Sequence, residues 1–191
     1  MRVGKITRKT KETDISVKIE LDGMGKSEID TEFHFLNHLL TALSKHSLID
    51  MQITAKGDLA HHIIEDVGIC LGQAFNKALK DKKGIKRFGS AYVPMDDALV
   101  RAVVDIGGRP WHNIELNFKS TKVEDVTAQD VYHFLVSFTY NAIMNLHLTT
   151  LTGDDNHHIS EAAFKALALA LKDAVRFDDI QSEIPSTKGV L

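Results

Sequence analysis

His61-His62-Ile63-Ile64-Glu65 and His157-His158-Ile159-Ser160-Glu161 are two copies of one pattern, H-H-x-x-E. Each opens a long amphipathic segment. Ile64, Val67, Ile69, Leu71, Phe75, Ala78 and Leu79 follow the first, and Ala162, Phe164, Leu167, Leu171 and Val175 the second. That spacing predicts a helix in each place, and Lys80–Gly84 ends the first. Working outward, strands are predicted just before them, near 49–56 and 145–151. An earlier helix precedes each strand. One starts after Thr31 and carries Phe33, Leu36, Leu39, Leu40 and Leu43; the other runs from 127 to 143 with Val131, Phe134, Leu135, Phe138 and Ile143 on its apolar side. Before these lie strands at 2–9 and 14–21, where Ile15, Val17, Ile19 and Leu21 share a face, and at 90–94, 98–106 and 111–118. The order strands, helix, strand, helix thus occurs twice. Two repeats of about 90 residues are too long and too few for a solenoid. They predict an α+β fold: an internal duplication with antiparallel sheets and helices packed on one face. The halves are residues 1–89 and 90–184 of one compact domain, and 185–191 form a tail closing on the site.

Composition narrows the class. The chain has 191 residues, 43% hydrophobic and 26% charged, ordinary values for a globular protein able to bury its own core. The formal charge of -3 offers no basic field for nucleic acid. One cysteine excludes an intrachain disulfide and a cysteine-rich metal site. The first residues have no apolar run suited to a signal peptide, and no stretch is long and apolar enough to span a membrane. The expected compartment is the cytoplasm. The outlier is histidine, with ten residues.

Six of the ten fall into a repeated set. His38 lies 23 residues before His61, and His133 lies 24 before His157. With His62, Glu65, His158 and Glu161 they make two copies of a four-residue group. On a helix, His61 and Glu65 share a face, as do His157 and Glu161, while the adjacent His62 and His158 point about 100° away. Adjacent histidines suit two neighbouring metals better than one. A pseudo-two-fold arrangement follows, in which His and Glu from one helix combine with histidines of the other half. The pairing of ligands with ions stays open at this level. Imidazole plus carboxylate without thiolate fits manganese, iron, cobalt, nickel or zinc and argues against copper(I) and zinc fingers. His34, His46, His112 and His147 stand outside the pattern and read as ordinary surface or core residues.

Other motifs carry less. Gly25-Lys26-Ser27 resembles the end of a P-loop, but Glu20 stands where glycine is required. The zinc-protease pattern H-E-x-x-H and the nucleophile elbow G-x-S-x-G are absent. Cys70 lies inside an apolar helix and reads as a buried, inert thiol. Basic residues sit at breaks in the pattern: Arg87 after Gly84, Arg109 in Gly107-Gly108-Arg109-Pro110, Lys165 one turn beyond Glu161, and Lys188 after Ser186 and Thr187. Together they would suit an anion. A di-metal hydrolase or a metal-storage protein could use the same ligands. The first would release phosphate from a phosphoester, and the second would have no use for Arg87, Arg109 or Glu12.

At these residues the chain resembles the imidazoleglycerol-phosphate dehydratase family of histidine biosynthesis. The resemblance runs through Thr-Lys-Glu-Thr at 10–13, Phe-Leu-Asn-His at 35–38, His-His-Ile-Ile-Glu-Asp at 61–66 and Lys-Gly-Ile-Lys-Arg-Phe-Gly at 83–89. It continues in Pro-Met-Asp-Asp-Ala-Leu at 94–99, Gly-Arg-Pro at 108–110, His-His-Ile-Ser-Glu-Ala-Ala-Phe-Lys-Ala at 157–166 and the closing Lys-Gly-Val-Leu. It implies a hydro-lyase that converts imidazoleglycerol phosphate to imidazoleacetol phosphate with two manganese ions per site. His38, His61, His62, Glu65, His133, His157, His158 and Glu161 fall on metal-ligand positions. Arg87, Arg109, Lys165, Ser186 and Lys188 fall on substrate and phosphate positions, and Glu12 on a substrate-contacting carboxylate. The resemblance further implies a homo-oligomer, a 24-subunit shell with sites at subunit contacts. At this length there is no room for the phosphatase domain that some members carry. Two departures stand out. Asn37 replaces the usual Asp, and the segment Gly57-Asp58-Leu59-Ala60 is about three residues shorter than usual. Both predict weaker metal binding in the first half, because neighbouring groups tune ligand orientation and affinity.

The chemistry explains such a donor set. The substrate's C2 proton is not acidic and its C3 hydroxyl is a poor leaving group. Metal stabilisation of the imidazolate would let ring electron density expel the hydroxyl. The diazafulvene-like intermediate acidifies C2–H. Glu12, which no metal claims, is the expected proton-transfer group, with Glu161 in reserve.

Overall fold

A computed structural model describes residues 1–191. The first half comprises β1 (Val3–Lys9), β2 (Thr13–Glu20), β3 (Ser27–Asp30), α1 (His34–Ser47), β4 (Asp50–Gly57) and α2 (Ala60–Leu79). The second comprises β5 (Phe88–Met95), β6 (Ala98–Asp105), β7 (Trp111–Glu115), β8 (Lys122–Val123), β9 (Val126–Thr127), α3 (Ala128–Ala142), β10 (Asn145–Thr152) and α4 (Asn156–Val175). The sheets run β1-β2-β4-β3 and β5-β6-β10-β7, the same order with equivalent elements. The duplicated α+β unit is therefore present in topology as well as in motif.

The sheets are antiparallel across three strands and carry a parallel fourth strand at one edge, β3 on β4 and β7 on β10. The cause is the crossover helix. A strand that returns to the same sheet through α1 or α3 arrives parallel to the strand it left. β3 was not expected because Ser27-Glu28-Ile29-Asp30 holds a single apolar residue. β7 ends at Glu115, short of the expected 118.

Each sheet buries one face. β2 alternates strictly, with Thr13, Ile15, Val17 and Ile19 inward and Asp14 and Lys18 outward. The helices lie on the inward faces and cross between halves: α2 packs on β1 and β2 and against α3, while α4 packs on β5 and β6 and against α1. One continuous core results, from Ile15 and Leu39 through Phe75 and Phe134 to Phe164 and Leu171. The tightest strand-helix contacts are repeated too. A Cβ on Gly4 would lie 1.9 Å from the Ala74 carbonyl oxygen of α2, and one on Gly89 would lie 2.0 Å from that of Ala170 in α4. Only glycine allows that approach.

The cross-packing positions the site. It sets the N-terminal end of α4 beside α1, and that of α2 beside α3. Histidines from opposite halves therefore meet.

Candidate active site

The ligand-type atoms of His38, His157 and Glu161 lie within 4.8 Å of one another. Glu161 Oε2 is 3.5 Å from Nε2 of both histidines. His38 comes from α1, while His157 and Glu161 share a face of α4. Burial pushes the Glu161 carboxyl up, but the Lys165 ammonium at 2.5 Å and His38 outweigh it, so the group is held below the usual range and ionised. The cluster faces an open cleft of about 510 Å³ lined also by His34, Phe35, Glu124 and Asp125.

The pseudo-symmetric set is looser. His61 Nε2 is 3.8 Å from Glu65 Oε2, and the His61 and His133 rings have centroids 4.8 Å apart. Gln129 meets His133 Nε2 at 2.6 Å. His62 and His158 join neither set. His62 Nδ1 meets Asp58 Oδ1 at 2.8 Å, and His158 Nδ1 meets Asp97 Oδ1 at 2.6 Å. The expected cross-half pairing thus involves His38 and His133, while the second histidine of each H-H pair is directed elsewhere.

All four paired histidines have Nδ1 on a carboxylate. Glu124 Oε1 lies 3.0 Å from that of His157 and Asp130 Oδ1 3.3 Å from that of His61, alongside Asp58 and Asp97. Such a partner selects the Nδ1–H tautomer and leaves the Nε2 lone pair free for a metal. Asp97 also accepts from the backbone N–H groups of Asp154 and Asp155, which with His158 hold its carboxyl far below the usual range. Asp130 belongs to the capping box of α3, taking both the Thr127 hydroxyl and backbone N–H. The donor set suits a divalent cation: imidazoles whose Nδ1 is held by a carboxylate, a Glu161 carboxylate held ionised by Lys165, and no thiolate.

The two helix starts differ. Asp155 caps α4 by accepting from the His157 and His158 N–H groups, whereas α2 starts at Leu59 with no side-chain cap. The shortened segment still supplies Asp58 to His62. Asn37 does not touch the His38 ring; its Oδ1 accepts from the N–H and hydroxyl of buried Thr31, a role an aspartate would also fill.

Glu12 sits on the β1–β2 turn, largely exposed, with Oε2 3.9 Å from His62 Nδ1. The turn is fixed locally: Thr10 Oγ1 accepts from the N–H groups of Glu12 and Thr13. It is also anchored to α2, since buried Asp66 accepts from the Thr13 hydroxyl at 2.5 Å and from Arg8 at 2.9 Å.

Arg87, Arg109, Ser186 and Lys188 line one cleft of about 380 Å³ with the Gly107-Gly108 turn and the end of the tail. Arg87 is already engaged. It donates to both oxygens of Asp105 and, at 2.8 Å, to the Pro185 carbonyl, so it anchors the tail. Lys165 stands apart from this group, beside Glu161. Cys70 is fully buried, and burial pushes its thiol up to about 11, as expected for an inert side chain. His34 lines the metal-type cleft, although it stands outside the repeated histidine pattern. Glu124, Asp125 and Asp130 were missed altogether. Thr127-x-x-Asp130 is legible as a capping box, but nothing in the sequence pairs these carboxylates with histidines.

Comparison with known proteins agrees with this geometry. The family model described as imidazoleglycerol-phosphate dehydratase matches residues 31–171, which span every histidine and glutamate of the two sets. The imidazoleglycerol-phosphate dehydratase of Thermoanaerobacter pseudethanolicus is 50% identical over the whole of both chains. That of Methanothermobacter thermautotrophicus is 46% identical over all of this chain and 98% of its own. The crystal structure from Staphylococcus aureus superposes with a TM-score of 0.85 at 36% identity, covering 92% of this chain and 99% of that one. The Pyrococcus furiosus structure, in complex with (S)-C348, does so at 0.85 and 41%, covering 97% and 100%. With the duplicated topology, the paired histidine sets and full-length similarity in agreement, this chain belongs to the imidazoleglycerol-phosphate dehydratase family.

Proposed function

We propose that the chain dehydrates imidazoleglycerol phosphate to imidazoleacetol phosphate. The observation that carries this is the His38–His157–Glu161 cluster, its ligand atoms gathered within 4.8 Å and its carboxylate held ionised, in a chain of this family. His38, His157 and Glu161 would hold one manganese ion, and His61, Glu65 and His133 a second. The bound metal would supply Lewis-acid stabilisation of the substrate imidazolate. We take sites at the contacts of a 24-subunit shell as part of this reading. His62 and His158, directed away from both sets, are then free to serve a neighbouring copy.

The remaining work falls to the chain's own residues. Arg109, Ser186 and Lys188 bind the phosphate, and Arg87 holds the tail that carries two of them, which fixes the substrate's long axis. Loss of the C3 hydroxyl leaves a diazafulvene-like intermediate. Glu12 takes the C2 proton and passes it to the expelled hydroxide, which leaves as water, and the enol becomes the ketone as its hydroxyl proton is replaced by one at C3. Glu161 is the alternative proton carrier. Lys165, against Glu161, keeps that carboxylate ionised.

A di-metal hydrolase would liberate inorganic phosphate from imidazoleglycerol phosphate, and a dehydratase would not. A colorimetric phosphate assay on the manganese-loaded protein separates them: no release is expected, and stoichiometric release would overturn the assignment. Lys188→Ala is expected to raise KM about tenfold or more with a smaller change in kcat, because it removes a binding contact distant from the reacting carbons. Unchanged steady-state kinetics would make the tail a bystander. The missing α2 cap predicts that manganese fills the sets unequally, the α4 set first. Calorimetric titration of the metal-free protein should show two steps, and a single step of uniform high affinity would contradict this.

A further inference from the structure

The β7–α3 connection has no counterpart in the first half, where three residues separate β3 from α1. It carries the β8–β9 hairpin, and both turn residues, Glu124 and Asp125, line the cleft of the His38–His157–Glu161 cluster. Asp125 accepts from the N–H groups of His34 at 2.6 Å and Phe35 at 3.1 Å. It thereby caps α1 from the other half, where Phe33 provides no side-chain cap. The hairpin is held firmly. Val123 and Val126 are buried, and Asn156 at the start of α4 accepts from the Lys119 N–H and donates to the Ser120 carbonyl.

Glu124 is the unusual member. Its φ is +55°, in the left-handed region that favours glycine and strains other residues. Its side chain is 56% exposed, so it contributes little packing, yet its carboxylate lies 3.0 Å from His157 Nδ1. The hairpin would form more easily without it. We propose that Glu124 is a positioning residue. It holds the His157 ring with Nδ1 protonated and Nε2 directed at Glu161 and His38, which tightens divalent-metal binding in exchange for a strained turn. This rests on the metal-dependent reading above.

The strain gives a test in which stability and affinity separate. Full-length protein stripped with chelator is titrated with Mn(II) alone by calorimetry, with free Mn(II) followed by electron paramagnetic resonance. Tm is measured in chelator. Glu124→Gly relieves the turn, so its Tm should match or exceed that of the unsubstituted protein. Its α4-set affinity should fall about tenfold or more, the effect of losing a carboxylate behind a ligand histidine. Glu124→Gln, whose amide oxygen still accepts from Nδ1–H, should recover most of that loss. Unsubstituted affinity in Glu124→Gly, or a weakening that Glu124→Gln does not reverse, overturns the proposal. If the unsubstituted protein itself binds no Mn(II), the metal-dependent reading fails and takes this inference with it.

Discussion

Glu12→Gln is expected to keep its manganese complement and lose about 10²–10⁴-fold in turnover, the usual contribution of a positioned proton-transfer group. That range is about 3–5 kcal/mol of barrier. The structure explains why metal content should survive. Glu12 belongs to neither ligand set, and its turn is held by Thr10, Thr13 and Asp66 through contacts that do not use the Glu12 carboxylate. Gln preserves size and polarity, so the turn should keep its shape. Elemental analysis with single-turnover kinetics checks both halves of the prediction. Turnover near that of the unsubstituted protein would move the proton transfer to Glu161.

His158→Ala is the second large effect. Within one chain His158 touches neither set, because its Nδ1 is on Asp97 and its Nε2 is 3.4 Å from Asp96. If sites were complete inside a single chain, this substitution would leave them intact. Sites shared between copies predict the reverse: manganese affinity lower by more than about 100-fold, since a ligand is lost rather than a group behind one, with a smaller assembly in light scattering. Full metal content and an unchanged particle size would refute shared sites. Metal binding to the unsubstituted chain should also weaken as pH falls. Asp97 and Asp58 raise the pKa of His158 and His62, so protons compete for these rings at a higher pH than for a free imidazole. Manganese titrations at pH 8 and pH 6 would show it.

Much of the fold was legible in the sequence because the same chemistry occurs twice. The H-H-x-x-E copies marked the starts of α2 and α4 and aligned the halves. Apolar periodicity located α1 and α3, and alternation located β2. β3 was not legible, since a four-residue edge strand with one apolar side chain has no alternation to detect. Nor was the parallel pairing of β3 and β7, which depends on where a crossover helix returns the chain. The repeated histidines and glutamates were legible as candidates, but which of them meet was not. His38 meets Glu161 because α1 packs on α4, a contact between elements far apart in the chain. The carboxylates behind the histidines were least visible. Glu124 is 33 residues from His157 and Asp130 is 69 from His61, and a lone turn glutamate has no pattern of its own. Arg87 shows the same limit: its type and position suggested an anion site, whereas its side chain is spent largely on Asp105 and the tail.

Incubating the purified, manganese-loaded protein with imidazoleglycerol phosphate and following the ketone tests the dehydratase assignment most directly. Imidazoleacetol phosphate should form stoichiometrically with the phosphate ester intact, and its formation should be abolished by chelator and restored by Mn(II). Full metal occupancy with no ketone, or product formed equally well in chelator, would contradict that assignment.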